Sequence, residues 1–409
     1  MTHPGNPVQR AGPRFDLTAL PPEFYLDPYP YYAELREHAP VYQCPDGTWL
    51  LTRHADLERI YRDRSNFSSD KRAAFTPKFG VDSPLFAHHT TSLVFNDAPY
   101  HTRVRRQIVG ALTPHVLKAL EPAVVALVDR LLDALEDRGS GDMVTEFATA
   151  IPVEVIGRLL GIPNDERAPL RNWSLAILGA LEPVLTAEQL EFGERSVREF
   201  LDYLAELVAK RRRAPGGDDD VLTRLIRDET GGQPLSEHEL LHNCIFLLNA
   251  GHETTTHLIG NGLELLMRHR GEFERLRAQP ETIQTCVEEC LRCESPNQLG
   301  NRLVSVPVVI GGVHLAAGAY LTLGIGAANH DPAAFAEPER FDICRTPNPH
   351  LAFAAGAHAC AGMAVARLEG RVALLRAAQR FPRMHLAGKP VRAERARFRG
   401  WKTLPVAVR

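Results

Sequence analysis

The stretch that most constrains this chain runs from Ser236 to His269. Ser236 and Glu239 have the spacing of a capping box, in which each side chain satisfies a backbone N–H of the first helical turn. Beyond them the pattern predicts one helix to about His269, long for a globular protein. It is apolar on most sides through Leu240, Leu241, Ile245, Phe246, Leu247 and Leu248. A helix that is apolar all round is a buried one, so the remaining chain has to wrap it. Its middle breaks the pattern. Ala250-Gly251-His252-Glu253-Thr254-Thr255-Thr256 sets an acid and hydroxyls where unpaired polar groups are costly. Gly251 leaves room beside the helix, and a threonine can bond back to the preceding turn and bend it.

The 409 residues suffice for several average domains or one large one; a single domain over 1–409 is expected, with 1–15 as a flexible terminus. A net charge of −3 leaves no electrostatic footprint for nucleic acid. No uninterrupted apolar stretch is long enough to span a membrane, and Met1 to Pro13 lacks an apolar signal-peptide core. No membrane partner and a cytoplasmic location are therefore expected. The cysteines number 7, odd and irregularly placed, which argues against a disulfide framework.

Along the chain, short helices are expected after Asp27 and over His54–Arg62, with a strand at Trp49–Thr52. Ser65–Ser92 reads as a long basic loop, and its Lys71, Arg72 and Lys78 as solvated positions rather than ligands for a substrate carboxylate. Asp97 and Pro99 open a helix on which His101 and Arg105 share one face; alone, that pair reads as basic surface. Four amphipathic helices follow between His115 and Arg213, the last with a Thr186/Gln189 capping box. Glu281–Cys293 is helical, Arg302–Leu323 is β-rich around Gly311-Gly312, and Phe398–Val408 forms short strands.

Phe353 to Gly362 reads Phe-Ala-Ala-Gly-Ala-His-Ala-Cys-Ala-Gly and runs straight into an apolar helical pattern. A Cys360 thiolate there would lie near a helix N-terminus, which suits a metal thiolate. A buried structural cysteine fits the same residues. Cys286, Cys290 and Cys293 resemble an iron–sulfur spacing, but they are also one stripe of a helix. His252 and His257 are five apart and diverge around the helix, so they do not form a zinc pair.

Taken together these stretches resemble the cytochrome P450 family of soluble bacterial haem-thiolate monooxygenases. The family loop Phe-Gly-x-Gly-x-His-x-Cys-x-Gly is met by Phe353, Gly356, His358, Cys360 and Gly362, with Ala354 replacing its first glycine. Ala-Gly-x-Glu/Asp-Thr-Thr is met by Ala250, Gly251, Glu253, Thr254 and Thr255. Glu289 and Arg292 meet Glu-x-x-Arg, Pro338 to Phe341 meet Pro-Glu-Arg-Phe, and His101 with Arg105 meets His-x-x-x-Arg.

The resemblance implies a mainly α fold with a small β region. It implies haem b (iron protoporphyrin IX) with Cys360 as the metal ligand. His101, Arg105, Arg302 and His358 would hold the propionates, and Phe353, Gly356 and Gly362 would shape the loop. Ala250 and Gly251 would approach the distal face, where Thr254 and Glu253 are the catalytic pair. Glu289, Arg292 and Arg340 would form a structural ion network. The family match fills the chain, so electrons are expected from a separate ferredoxin and ferredoxin reductase, steered by Arg103, Arg106 and Arg367. The substrates are O2 and a small to medium lipophile. A hydrogen-peroxide-driven peroxygenase and a haem sensor are the alternatives.

Overall fold

The computed structural model describes residues 15–217, 220–227 and 233–409; most of the expected flexible terminus lies outside the described residues. In chain order the helices that shape the site are α1 (Arg72–Phe79), α2 (Pro84–Thr91), α3 (Tyr100–Ala111), α4 (Pro114–Arg138), α5 (Ala150–Leu159), α6 (Leu170–Gly179), α7 (Ala187–Arg213), α8 (Glu237–Arg268), α9 (Ile283–Cys293) and α10 (Met363–Arg380). The strands that matter are β1 (Val41–Gln43), β2 (Trp49–Leu51), β3 (Phe67–Ser68), β4 (Leu299–Val304) and β5 (Tyr320–Gly324). They form one sheet in the order β1-β2-β5-β4-β3, parallel only between β2 and β5.

Helix α8 is the predicted central helix, and the Ser236/Glu239 box caps it as expected. It packs against α5, α6, α7, α9 and α10. Its Ile245, Ile259, Leu263 and Leu266 are fully buried, each contributing about 1.5–3 kcal/mol of transfer free energy. Gly251 admits a neighbour: a Cβ there would lie 2.7 Å from Ile156 Cδ1 of α5. Cys286, Cys290 and Cys293 are buried within α9 as a packing stripe. Among the described residues no single helix is long and apolar enough to cross a membrane.

The stretch 65–92 departs from expectation. It carries β3, α1 and α2 in place of a loop. Phe75, Phe79 and Leu85 bury against the core, and Ser83 caps α2 ahead of Pro84. Of the three cations there, Arg72 is exposed as expected and pairs with Asp70, whereas Lys71 is buried and Lys78 half-buried. Lys71 is buried over the Tyr320 ring (4.7 Å), Arg72 donates to Asn96 Oδ1 (3.0 Å), and Lys78 donates to the Glu182 carbonyl (2.6 Å).

Candidate active site

The Cys360 loop is folded back on itself. The Cys360 N–H donates to the Phe353 carbonyl at 2.9 Å, and a short 3-10 turn spans Gly356–His358. Gly356 has φ +68° and its α-carbon abuts the Tyr61 carbonyl, where a Cβ would stand 2.3 Å away, so only glycine fits. Ala354 also adopts a left-handed φ, +54°, which is unfavourable for a residue with a Cβ. Burial pushes the Cys360 thiol up; the Gly362 N–H, Arg105 and Arg367 pull it down by favouring the thiolate. Gly362 precedes α10 and lines the same space as the sulfur.

That space is a cavity of about 320 Å³ bounded by Cys360, by Ala250, Gly251 and Thr254 of α8, by His101 and Arg105 of α3, and by Arg302 of β4. His101 and His358 stack face to face, ring centroids 3.8 Å apart. Burial first, then neighbouring arginines, lower them to about 4 and about 2 respectively. Arg302 is buried over the Tyr61 ring, and among the described residues its guanidinium bonds only its neighbour's carbonyl, Asn301 O at 2.8 Å. Among the described residues no carboxylate pairs with Arg105 or Arg302, and the buried His101 Nε2 has no hydrogen-bond partner.

On the opposite wall the Thr254 hydroxyl donates to the Ala250 carbonyl at 2.7 Å and faces the cavity. Glu253 is buried on the adjoining face of α8. It is ion-paired with Arg395 and lies 3.6 Å from His257 Nε2. Burial alone would raise its pKa, but His257 and Arg395 together outweigh burial and hold it low. Arg395 also bonds Glu182 at 2.9 Å, tying the α6–α7 connection to the central helix.

The family model described as cytochrome P450 matches residues 32–392. The chain belongs to the cytochrome P450 family. Cytochrome P450 107B1 of Saccharopolyspora erythraea is 36% identical over 408 residues, 96% of this chain and 97% of that one. The 6-deoxyerythronolide B hydroxylase of the same organism is 35% identical over 376 residues, 89% of this chain and 91% of that one. The crystal structure of P450BioI in complex with hexadec-9Z-enoic acid ligated acyl carrier protein matches with TM-score 0.89 and 32% identity, covering 95% of this chain and all of that one. The P450 is thus an oxidoreductase of a monooxygenase family, with the expected mainly helical fold and small sheet region.

Membership implies haem, and the residues present fit it. A thiol faces an apolar cavity, and Arg105 and Arg302, without carboxylate partners among the described residues, stand beside a buried imidazole nitrogen left unpaired. Two propionates would satisfy that cluster through charge-assisted bonds.

Behind this P450's cavity the ion network differs from expectation by one arginine. Arg292 of α9 grips Glu289 with two bonds of 2.8 Å, both groups fully buried. The third partner is Arg345, whose Nε reaches Glu289 Oε1 at 3.0 Å. Arg340 lends only its carbonyl, to Arg292 and Arg345, while its side chain is exposed and pairs with Glu337. Of the expected steering cations, Arg367 is held bidentate by Glu288 (2.7 Å each) and Arg103 is paired with Glu239; Arg106 is exposed.

One lining carboxyl escaped the sequence reading. Glu369 of α10 is buried, accepts from the Thr255 hydroxyl, and is pushed up to about 8 by desolvation. The only signal was an acid nine residues beyond Cys360 in an otherwise apolar helical pattern.

Proposed function

We propose that this P450 inserts one oxygen atom of dioxygen into a C–H bond of a small to medium lipophile, by hydroxylation or oxidative dealkylation. Electrons come from a ferredoxin reduced by its own reductase. The observation that carries the reading is that Cys360 and Thr254 line one largely apolar cavity, with Glu253 buried on the adjoining face of α8. Cys360 would hold the iron of haem b through its thiolate, and the bound group would supply the activation of dioxygen.

The chain's own residues do the rest. His101, Arg105, Arg302 and His358 hold the propionates, and the Gly362 N–H bonds the sulfur and tempers its charge. Phe353 lies under the Arg367 guanidinium, 4.8 Å from ring to cation, and closes the loop. Ala250 and Gly251 keep α8 thin where it borders the cavity. By donating to the Ala250 carbonyl, the Thr254 oxygen is free to accept a hydrogen bond from water in the cavity and to hold it there. Glu253 can carry protons inward only when it parts from Arg395, which keeps Glu182 as its second partner and so is not stranded. Glu369 stores a proton at neutral pH and is reached by Thr255. Exposed Arg106 offers an acidic donor protein a point of approach; Arg103 and Arg367 are already paired, which reduces their share in steering.

The relatives range from a 6-deoxyerythronolide B hydroxylase to a P450 crystallised with an acyl-loaded carrier protein, which supports a lipophilic substrate without fixing its size. The test is a screen of lipophiles for displacement of the ferric haem's water. Turnover with ferredoxin, reductase and isotopically labelled dioxygen follows. One labelled oxygen in the product is expected, and Thr254→Ala should bind haem and lipophile normally while sending most electrons to hydrogen peroxide. Product from peroxide alone, with none from the electron chain, would show a peroxygenase. Electron-dependent product from none of the lipophiles would show a sensor.

A further inference from the structure

The segment Arg392 to Arg399 carries arginines at 392, 395, 397 and 399. Three are ion-paired with carboxylates, although Arg392 Nε and Arg395 Nη2 have no hydrogen-bond partner among the described residues. Arg392 bonds Asn261 and Glu294 at 3.1 Å each. Arg399 bonds Glu294 at 2.6 Å and the carbonyls of Tyr25 and Leu26 at 3.0 Å. Arg395 bridges Glu182 and Glu253. Arg397 alone turns to the cavity. It is half-buried, and among the described residues no carboxylate or carbonyl accepts from its guanidinium; the Phe398 ring is 6.0 Å away.

An unanswered cation on a largely apolar wall is unfavourable unless something else satisfies it. Its field is felt nearby: after burial, it contributes to lowering Lys71, Lys78 and His89. The only carboxyl among the described lining residues, Glu369, makes no ion pair with Arg397; Thr255 is beside it, and Glu369 Oε1 is left unpaired. The other two lining arginines, Arg105 and Arg302, stand in the histidine cluster that suits the two haem propionates. One lining positive charge is left over.

A second observation concerns the same wall. His89 Nε2, the Asn249 amide nitrogen and oxygen, and Asn297 Oδ1 are buried lining atoms without partners, and His89 and Asn249 are each 2% exposed. Asn297 pairs through its backbone with Phe398, next to Arg397. Most of the surrounding lining, including Leu93, Val94, Leu178, Leu181 and Phe246, is apolar. A ligand that answers this wall has a lipophilic body and one anionic, hydrogen-bonding end.

We propose that Arg397 anchors a free carboxylate on the substrate, so that this P450 selects amphiphilic monocarboxylates. The planar guanidinium offers a carboxylate two parallel N–H donors, a geometry that an ester or a carrier-bound thioester cannot exploit as an ion pair. The inference rests on the lipophile-binding haem cavity proposed above.

The test uses the purified haem-loaded protein with dodecanoic acid, its methyl ester and dodecanol. Binding is followed by calorimetry and by the ferric haem band. The acid is expected to bind about 10- to 100-fold tighter than the ester, the range for a hydrogen-bonded charged group. In Arg397→Leu that preference should vanish with ester affinity and haem content unchanged, and Arg397→Lys should keep part of it. Equal affinity for acid and ester in the unaltered protein would overturn the proposal. So would a preference that survives in Arg397→Leu, or loss of haem from that variant with acid preference intact, which would place Arg397 at a propionate instead. Failure of the monooxygenase reading is separate: it would appear as no electron-dependent product from lipophiles of any kind, whatever the acid preference.

Discussion

Two groups of arginines in this P450 are built on opposite terms. Around Glu289 the carboxylate and the Arg292 guanidinium are fully partnered: Arg292 and Arg345 grip the carboxylate, Asn348 adds a bond at 3.0 Å, and the carbonyls of Asn329, Pro338 and Arg340 take the remaining Arg292 donors, with Asn348 Oδ1 at the edge left unpaired. Around the cavity Arg105, Arg302 and Arg397 have no carboxylate partner among the described residues, and polar atoms of His101, Asn249 and Asn297 are left unpaired beside them. A satisfied buried network holds a fold, whereas an unsatisfied one facing a cavity is shaped for something else. The difference separates the residues that fold this chain from those proposed above to hold haem and substrate.

That separation predicts different failures. Arg292→Leu strands a buried carboxylate with one cation fewer and should lower unfolding stability by about 3–5 kcal/mol. Denaturant unfolding of the haem-loaded protein measures it. Arg105→Leu should instead leave the fold nearly as stable while haem retention falls roughly tenfold, one charge-assisted bond, as read by haem transfer to an acceptor protein. If the two variants lose stability equally, the division between closed and open networks is wrong.

Glu369 lies between the two regimes, buried but bonded only by Thr255. Its carboxyl is raised from an ordinary 4.5 to about 8. Between those values the folded chain keeps a proton that the unfolded chain releases, so this group lowers stability progressively as pH rises through the window and fully above it. Glu369→Gln should remove that decline, a difference on the order of a few kcal/mol at high pH, seen in melting temperature against pH. Identical pH profiles for the two proteins would contradict it.

The smallest effect belongs to Ala354. Relieving its left-handed φ of +54° by Ala354→Gly should gain more than the added backbone entropy costs, a net stabilisation of about 1 kcal/mol. A lower melting temperature in that variant would mean that the alanine methyl is needed for packing.

Much of this was legible in the chain itself. The capping box and all-round apolarity marked out α8 to within a residue or so of its ends, because both signals are local. The haem loop and the propionate-side residues came from resemblance, and the structure brings them to one cavity. What escaped depended on tertiary choices. Arg340 and Arg345 lie five apart on one connection, and only the folded path decides which side chain reaches Glu289. The helices within 65–92 are short, and their buried faces rest on scattered Phe75, Phe79 and Leu85 rather than on a sustained period. Nothing local distinguishes Arg397 from Arg395 or Arg399; their partners come from distant segments.

The most direct measurement is the reduced carbon-monoxide difference spectrum of the protein and of Cys360→Ser. The unaltered chain should give the band from which the family takes its name. The variant should lose it while any retained haem absorbs elsewhere. Persistence of that band in Cys360→Ser would remove Cys360 as the haem ligand and with it the centre of this account.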